Sequence, residues 1–159
     1  MKIISGGQTG VDRAALDVAL QHGIACGGWC PAGRLDEFDQ IPARYPVQEI
    51  PHGDYSARTR QNVSESDGTV IIYDRRLSGG SSETVRFCRE LNRPHQLIDA
   101  STLSTETAAD MIRDFLAKQK IDILNVAGPR QSQWPGGYDY VVRTLERFFG
   151  QPRPEDKCL

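Results

Sequence analysis

Three short glycine-rich stretches hold the residues best suited to grip a ligand. They are Ser5-Gly6-Gly7-Gln8-Thr9-Gly10, Ser78-Gly79-Gly80-Ser81-Ser82-Glu83-Thr84 and Asn125-Val126-Ala127-Gly128-Pro129-Arg130. Each leaves a β-rich run. Glycine admits positive φ and lets a ligand reach the backbone with no Cβ between them. A helix starting just beyond presents unpaired N–H groups and the positive end of its dipole, an arrangement that attracts oxyanions. One such end contributes about 0.3–1 kcal/mol toward holding an anion. Thr9, Ser81, Ser82 and Thr84 add hydroxyl donors, while Gln8, Asn125 and Gly128 complete the stretches. Arg13, Arg34 and Arg130 lie beside them, with the planar fork that suits bidentate oxyanion contact. Asp12 belongs to the same candidate set but has a plainer reading. Thr9 and Asp12 have capping-box spacing, which marks a helix start.

Better-known nucleotide motifs fail. No Lys follows Gly10, so the P-loop pattern is absent. The dinucleotide fingerprint would need glycine where Ser5 stands, and Trp29-Cys30 closes the second strand without an acidic residue for a ribose diol. His22, His52 and His95 share no pattern with a Ser or Cys nucleophile. Cys26, Cys30, Cys88 and Cys158 have no metal-site spacing, so they read as reduced thiols. Cys30, at the end of a strand, is placed to line a pocket. No catalytic residue and no metal ligand stands out.

The elements that must position these turns alternate along the chain. Strands are expected at Lys2–Ser5, Ala25–Trp29, Thr69–Tyr73, Gln96–Asp99 and Ile121–Val126. Thr69–Tyr73 is an unbroken β-branched and aromatic run, suited to burial on both faces. Helices are expected after Gly10, over Tyr55–Glu65, after Ser82, from Thr105, and through Tyr138, Val141, Val142, Leu145, Phe148 and Phe149, whose stripe reads as core. Arg34–His52 reads as a long loop. The alternation predicts one α/β domain over residues 1–150, a parallel sheet with helices on both faces, and a disordered tail from Gln151. In such a sheet all three glycine-rich turns share the carboxyl edge, where ligands bind.

Composition agrees. A chain of 159 residues with net charge −2 and scattered basic residues shows no stripe for nucleic acid. No apolar run is long enough for a membrane span, and Met1-Lys2-Ile3-Ile4 enters a strand rather than a signal peptide. A cytoplasmic location is the expectation.

The linked segments Gly6-Gly7-Gln8-Thr9-Gly10-Val11-Asp12-Arg13-Ala14-Ala15, Gly28-Trp29-Cys30-Pro31 with Gly33-Arg34, Ile41-Pro42 with Tyr45-Pro46, Arg58-Thr59 with Asn62-Val63, Ser66-Asp67-Gly68-Thr69 and Leu124–Arg130 resemble the molybdenum cofactor carrier family. The resemblance runs from Lys2 to about Phe149. It is similar to a circularly permuted branch of the SLOG group, which includes LOG-type nucleotide phosphoribohydrolases. The resemblance implies a Rossmann-like doubly wound sheet and a homo-oligomeric carrier that holds molybdenum cofactor (molybdopterin) without turnover. Phosphate, sulfate or molybdate would serve as surrogate ligands.

LOG-type enzymes carry P-G-G-x-G-T-x-x-E. Laid onto Ser78–Arg86, the two glycines survive, Glu83 takes the Thr position and Arg86 the Glu position. Ala32 stands where the carrier family leads one to expect a basic residue. The leading expectation is therefore a binding protein. The alternatives are a nucleotide N-glycosidic hydrolase using Glu83 and a nucleotide-sensing protein.

Overall fold

The computed structural model describes residues 1–150; the expected disordered tail lies outside them. Five parallel strands form the main sheet in the order β2-β1-β7-β5-β6: β1 (Lys2–Ile4), β2 (Ala25–Gly27), β5 (Gly68–Tyr73), β6 (His95–Asp99) and β7 (Ile123–Ala127). Between β2 and β5 lie two short strands, β3 (Trp29–Cys30) and β4 (Gln48–Glu49), which pair only with each other. The helices are α1 (Val11–Gln21), α2 (Tyr55–Glu65), α3 (Gly79–Glu90), α4 (Thr105–Gln119) and α5 (Gly137–Gly150).

Burial explains the layers. On one face, Ile3, Val70, Ile72, Leu124 and Val126 of the strands pack with Val11 and Val18 of α1, Ile112 of α4 and Val141 and Leu145 of α5. Val63 of α2 joins Phe87 and Cys88 of α3 in a separate cluster. Each fully buried aliphatic side chain contributes about 1.5–3 kcal/mol. Parallel neighbours need crossover helices, and the crossovers here run in opposite directions. The chain goes from β1 through α1 to the β2 edge, and from β5 through α3 to the β6 edge. From β6, α4 brings it back to place β7 between β1 and β5. The carboxyl ends of β1, β7 and β5 are thus adjacent, where the outgoing connections diverge.

Several local expectations need correction. The single strand expected over Ala25–Trp29 is broken at Gly28, whose φ is 129° and where a Cβ would come within 2.0 Å of the Ser5 carbonyl oxygen. Only glycine allows that crossing. The loop after Arg34 is more ordered than expected, because the Arg34 guanidinium donates to the carbonyls of Ile41, Pro42, Tyr45 and Val47 at 2.8–3.2 Å. Tyr138 is exposed rather than core. Its hydroxyl donates to Asp17 at 2.7 Å, while Tyr140 takes the inward position. The helix start at Val11 is as expected, but no capping box forms. Gly10 is the cap residue and no side chain caps it.

Candidate functional site

The first turn, leaving β1, is closed by its neighbours. Gln8 Oε1 accepts from the N–H groups of Thr9 and Glu37 at 3.0 and 2.9 Å. The Thr9 hydroxyl donates to the Glu37 carboxylate and accepts from the Gln131 N–H at 3.1 Å. Glu37 also takes the N–H and hydroxyl of Ser132. Burial works against the Glu37 charge, but these donors and nearby Arg130 outweigh it, and its carboxyl sits below the ordinary range. Gly10 has φ 79°, and a Cβ there would lie 2.7 Å from the Pro129 carbonyl oxygen. The first N–H of α1, from Val11, already donates to that carbonyl at 3.4 Å. Gly7 backs onto the Ile41 side chain. Arg13 donates to the Gly7 carbonyl at 3.1 Å and to Asp36 at 2.9 Å, so it fastens this turn to the following loop.

The third turn packs into the same joint. Asn125 donates to the Thr69 hydroxyl of β5 at 3.2 Å, and Gly128 lies against the Ile72 carbonyl and Val11. Arg130 is different. Its guanidinium carbon is 6.0 Å from the Tyr55 ring centre, and it makes no hydrogen bond or ion pair among the described residues.

The second turn is open. The Ser78 carbonyl accepts from Ser81 and Ser82 at 3.1 and 3.4 Å, and the N–H groups of Gly79 and Gly80 have no partner among the described residues. A Cβ on Gly80 would meet nothing within 4 Å; on Gly79 the nearest atom would be Gln133 Nε2 at 3.8 Å. Ser82 is exposed. The Ser81 side chain is buried, 4% exposed as a residue, and its hydroxyl has no partner. Thr84 is turned to its own helix and donates to the Gly80 carbonyl at 2.8 Å. Glu83 accepts from the Ser56 hydroxyl at 2.7 Å and from Arg86 at 3.1 Å, bridging α2 and α3.

One residue outside the candidate set reaches this edge. Arg58 of α2 meets Asp12 at 3.4 Å, with side-chain exposures of 14% and 4%. Burial pushes the Asp12 carboxyl up, and the Arg58 charge opposes that rise. Arg58 occupies the space over Gly6 where a Cβ would stand. Its only sequence signal is its place in the Arg58-Thr59, Asn62-Val63 segment. Cys30 is fully buried, and burial pushes its thiol up. Among the described residues no group of three or more His, Cys, Asp or Glu could hold a metal ion, and no helix is long and apolar enough to cross a membrane.

These strands and their diverging connections define a Rossmann-like α/β domain. The chain belongs to the circularly permutated YpsA SLOG family, whose model matches residues 3–149. It is similar to a solved structure from Syntrophus aciditrophicus SB described as "Putative molybdenum carrier protein". The two share 48% identity over 92% of this chain and 93% of that one, with a TM-score of 0.91. No curated protein matches the chain.

Proposed function

We propose that this protein is a carrier for molybdenum cofactor or a closely related phosphate-bearing ligand, held by its oxyanion end at the β5–α3 turn. One observation carries the reading. Of three glycine-rich turns at one sheet edge, this is the one whose helix-start glycines combine unpartnered N–H groups with no atom closer than 3.8 Å to an added Cβ, whereas Gly6, Gly7, Gly10 and Gly128 of the other two lie against neighbouring atoms. That is the arrangement by which helix N-termini take phosphate. The molybdenum comes from the description of the similar structure. With no metal-ligating cluster among the described residues, the grip falls on the ligand's phosphate rather than its metal. The engagement of Glu83 with Ser56 and Arg86 supports binding over glycosidic hydrolysis, which needs a carboxylate directed at the substrate.

Thermal melts with millimolar phosphate, sulfate and molybdate test the site, since an anion bound only to the folded state raises the melting temperature. Gly80→Asp places a carboxylate at the open N–H groups. It is expected to weaken anion binding at least tenfold, about 1.4 kcal/mol, in calorimetric titration. Equal affinity in the variant would move the site away from this turn.

A further inference from the structure

The first helical turn of α2 carries Arg58, whose backbone N–H donates to the Asp54 carbonyl at 3.2 Å and whose side chain crosses onto the β1–α1 turn. There the guanidinium sits over Gly6, with Nη1 only 1.7 Å and the central carbon 2.4 Å from where a Cβ would be. Asp12, on α1, holds that same Nη1 at 3.4 Å. The opposite edge of the plane, formed by Nε and Nη2, makes no hydrogen bond among the described residues, and Nε is buried without a partner. A buried donor of a charged group left unbonded is costly and calls for an acceptor. The Nε–Nη2 edge is also the one with which arginine forks two oxygens of a single oxyanion.

Two further observations point outward from this fork. Tyr55, one turn earlier on α2, has the Arg58 guanidinium 5.9 Å from its ring centre and that of Arg130 at 6.0 Å. Arg130 brings a guanidinium that makes no hydrogen bond or ion pair among the described residues, whereas Arg58 is paired with Asp12. The end of β1, beneath Arg58, and the end of β5, which feeds the open turn, are separated by β7 alone. That is on the order of 10 Å at ordinary strand spacing. We infer that the Nε–Nη2 edge of Arg58, preset by Gly6 and Asp12, is an oxyanion-binding fork for the ligand carried at this edge. This rests on the carrier reading above and adds a ligand-contacting residue to it. The chemistry served is a phosphate or molybdate group presenting two oxygens in one plane.

The experiment titrates inorganic phosphate and molybdate into wild type, Arg58→Lys and Gly80→Asp, and follows the Arg58 Nε–H signal of the wild type by NMR. Lysine keeps a cation for Asp12 but has no fork. Arg58→Lys should therefore melt normally and bind at least tenfold more weakly, and the wild-type Nε–H signal should shift along the binding isotherm. Unchanged binding in Arg58→Lys with a still Nε–H signal overturns the fork and leaves the β5–α3 reading standing. Weakened binding in Arg58→Lys but not in Gly80→Asp keeps the fork and removes the turn. A wild type that binds neither anion, with its Nε–H signal unmoved, removes both. If Arg58→Lys does not fold, the wild-type signal decides alone.

Discussion

The β1–α1 and β5–α3 turns read alike in sequence, each with paired glycines and hydroxyl residues ahead of a helix. In the folded chain they differ in what surrounds them. Around the first, Gln8, Thr9 and Arg13 are bonded to Glu37, Gln131 and Asp36, and Gly10 exists so that the Pro129 carbonyl can come close. Both turns hold N–H groups without partners among the described residues, but around the second the Ser81 hydroxyl lacks one too and Gly80 faces empty space, where Gly6 and Gly7 are covered by Arg58 and Ile41. Glycine serves close packing in one and access in the other. The contrast predicts that changes in the first turn act on stability and changes in the second on binding.

The largest effect should come from Gly10→Ala. An alanine there adopts positive φ and brings its Cβ within 2.7 Å of a backbone oxygen that cannot move alone. Left-handed strain of about 1–2 kcal/mol and overpacking of about 1–3 kcal/mol add to a loss of roughly 3 kcal/mol in urea unfolding. A loss below about 1 kcal/mol would mean that the joint between these turns is loose.

Next comes Glu37→Gln, which weakens the clip between the first and third turns by about 1–2 kcal/mol at neutral pH. The carboxyl of Glu37 lies below its ordinary range in the fold, so the unfolded chain binds its proton first. The stability it contributes is complete above the ordinary glutamate value of about 4.3 and is lost as pH falls through the lower folded value. Asp36 titrates in the same sense, so the diagnostic quantity is the gap between wild type and Glu37→Gln. That gap should close in melts taken from pH 6 down to pH 3. A gap independent of pH would show that the clip works without the carboxylate charge.

The strand–helix alternation, the parallel sheet and the shared edge were legible in sequence because periodicity and turn chemistry are local. Strand order was not, since nothing local says that β7 enters between β1 and β5. The Thr9–Asp12 spacing signalled the helix start correctly, yet neither side chain caps it. Thr9 bonds Glu37, 28 positions away, and Asp12 meets Arg58, 46 positions away. Arg58 itself was missed because it sits in a polar helix outside the three glycine-rich turns, and nothing local says that its side chain crosses onto Gly6. Arg34 looked like an oxyanion ligand by type and neighbourhood, but its donors organise a loop whose carbonyls no local pattern reveals.

The smallest predicted effect is the most direct check on the second turn. Gly80 lies in the first turn of α3 with φ outside the left-handed region, and a Cβ there meets no atom within 4 Å. Gly80→Ala therefore adds no clash. It also narrows the conformations of the unfolded chain, an effect of about 0.4–1 kcal/mol in favour of folding. The end of a helix realises less of alanine's propensity than its interior does, so a gain of about 0.5 kcal/mol is expected in urea unfolding of the ligand-free protein. The same substitution type at Gly10 should act in the opposite direction and several times more strongly. If Gly80→Ala instead lost 1 kcal/mol or more, the turn would have to be packed like its counterpart after β1, with no room left for an anion.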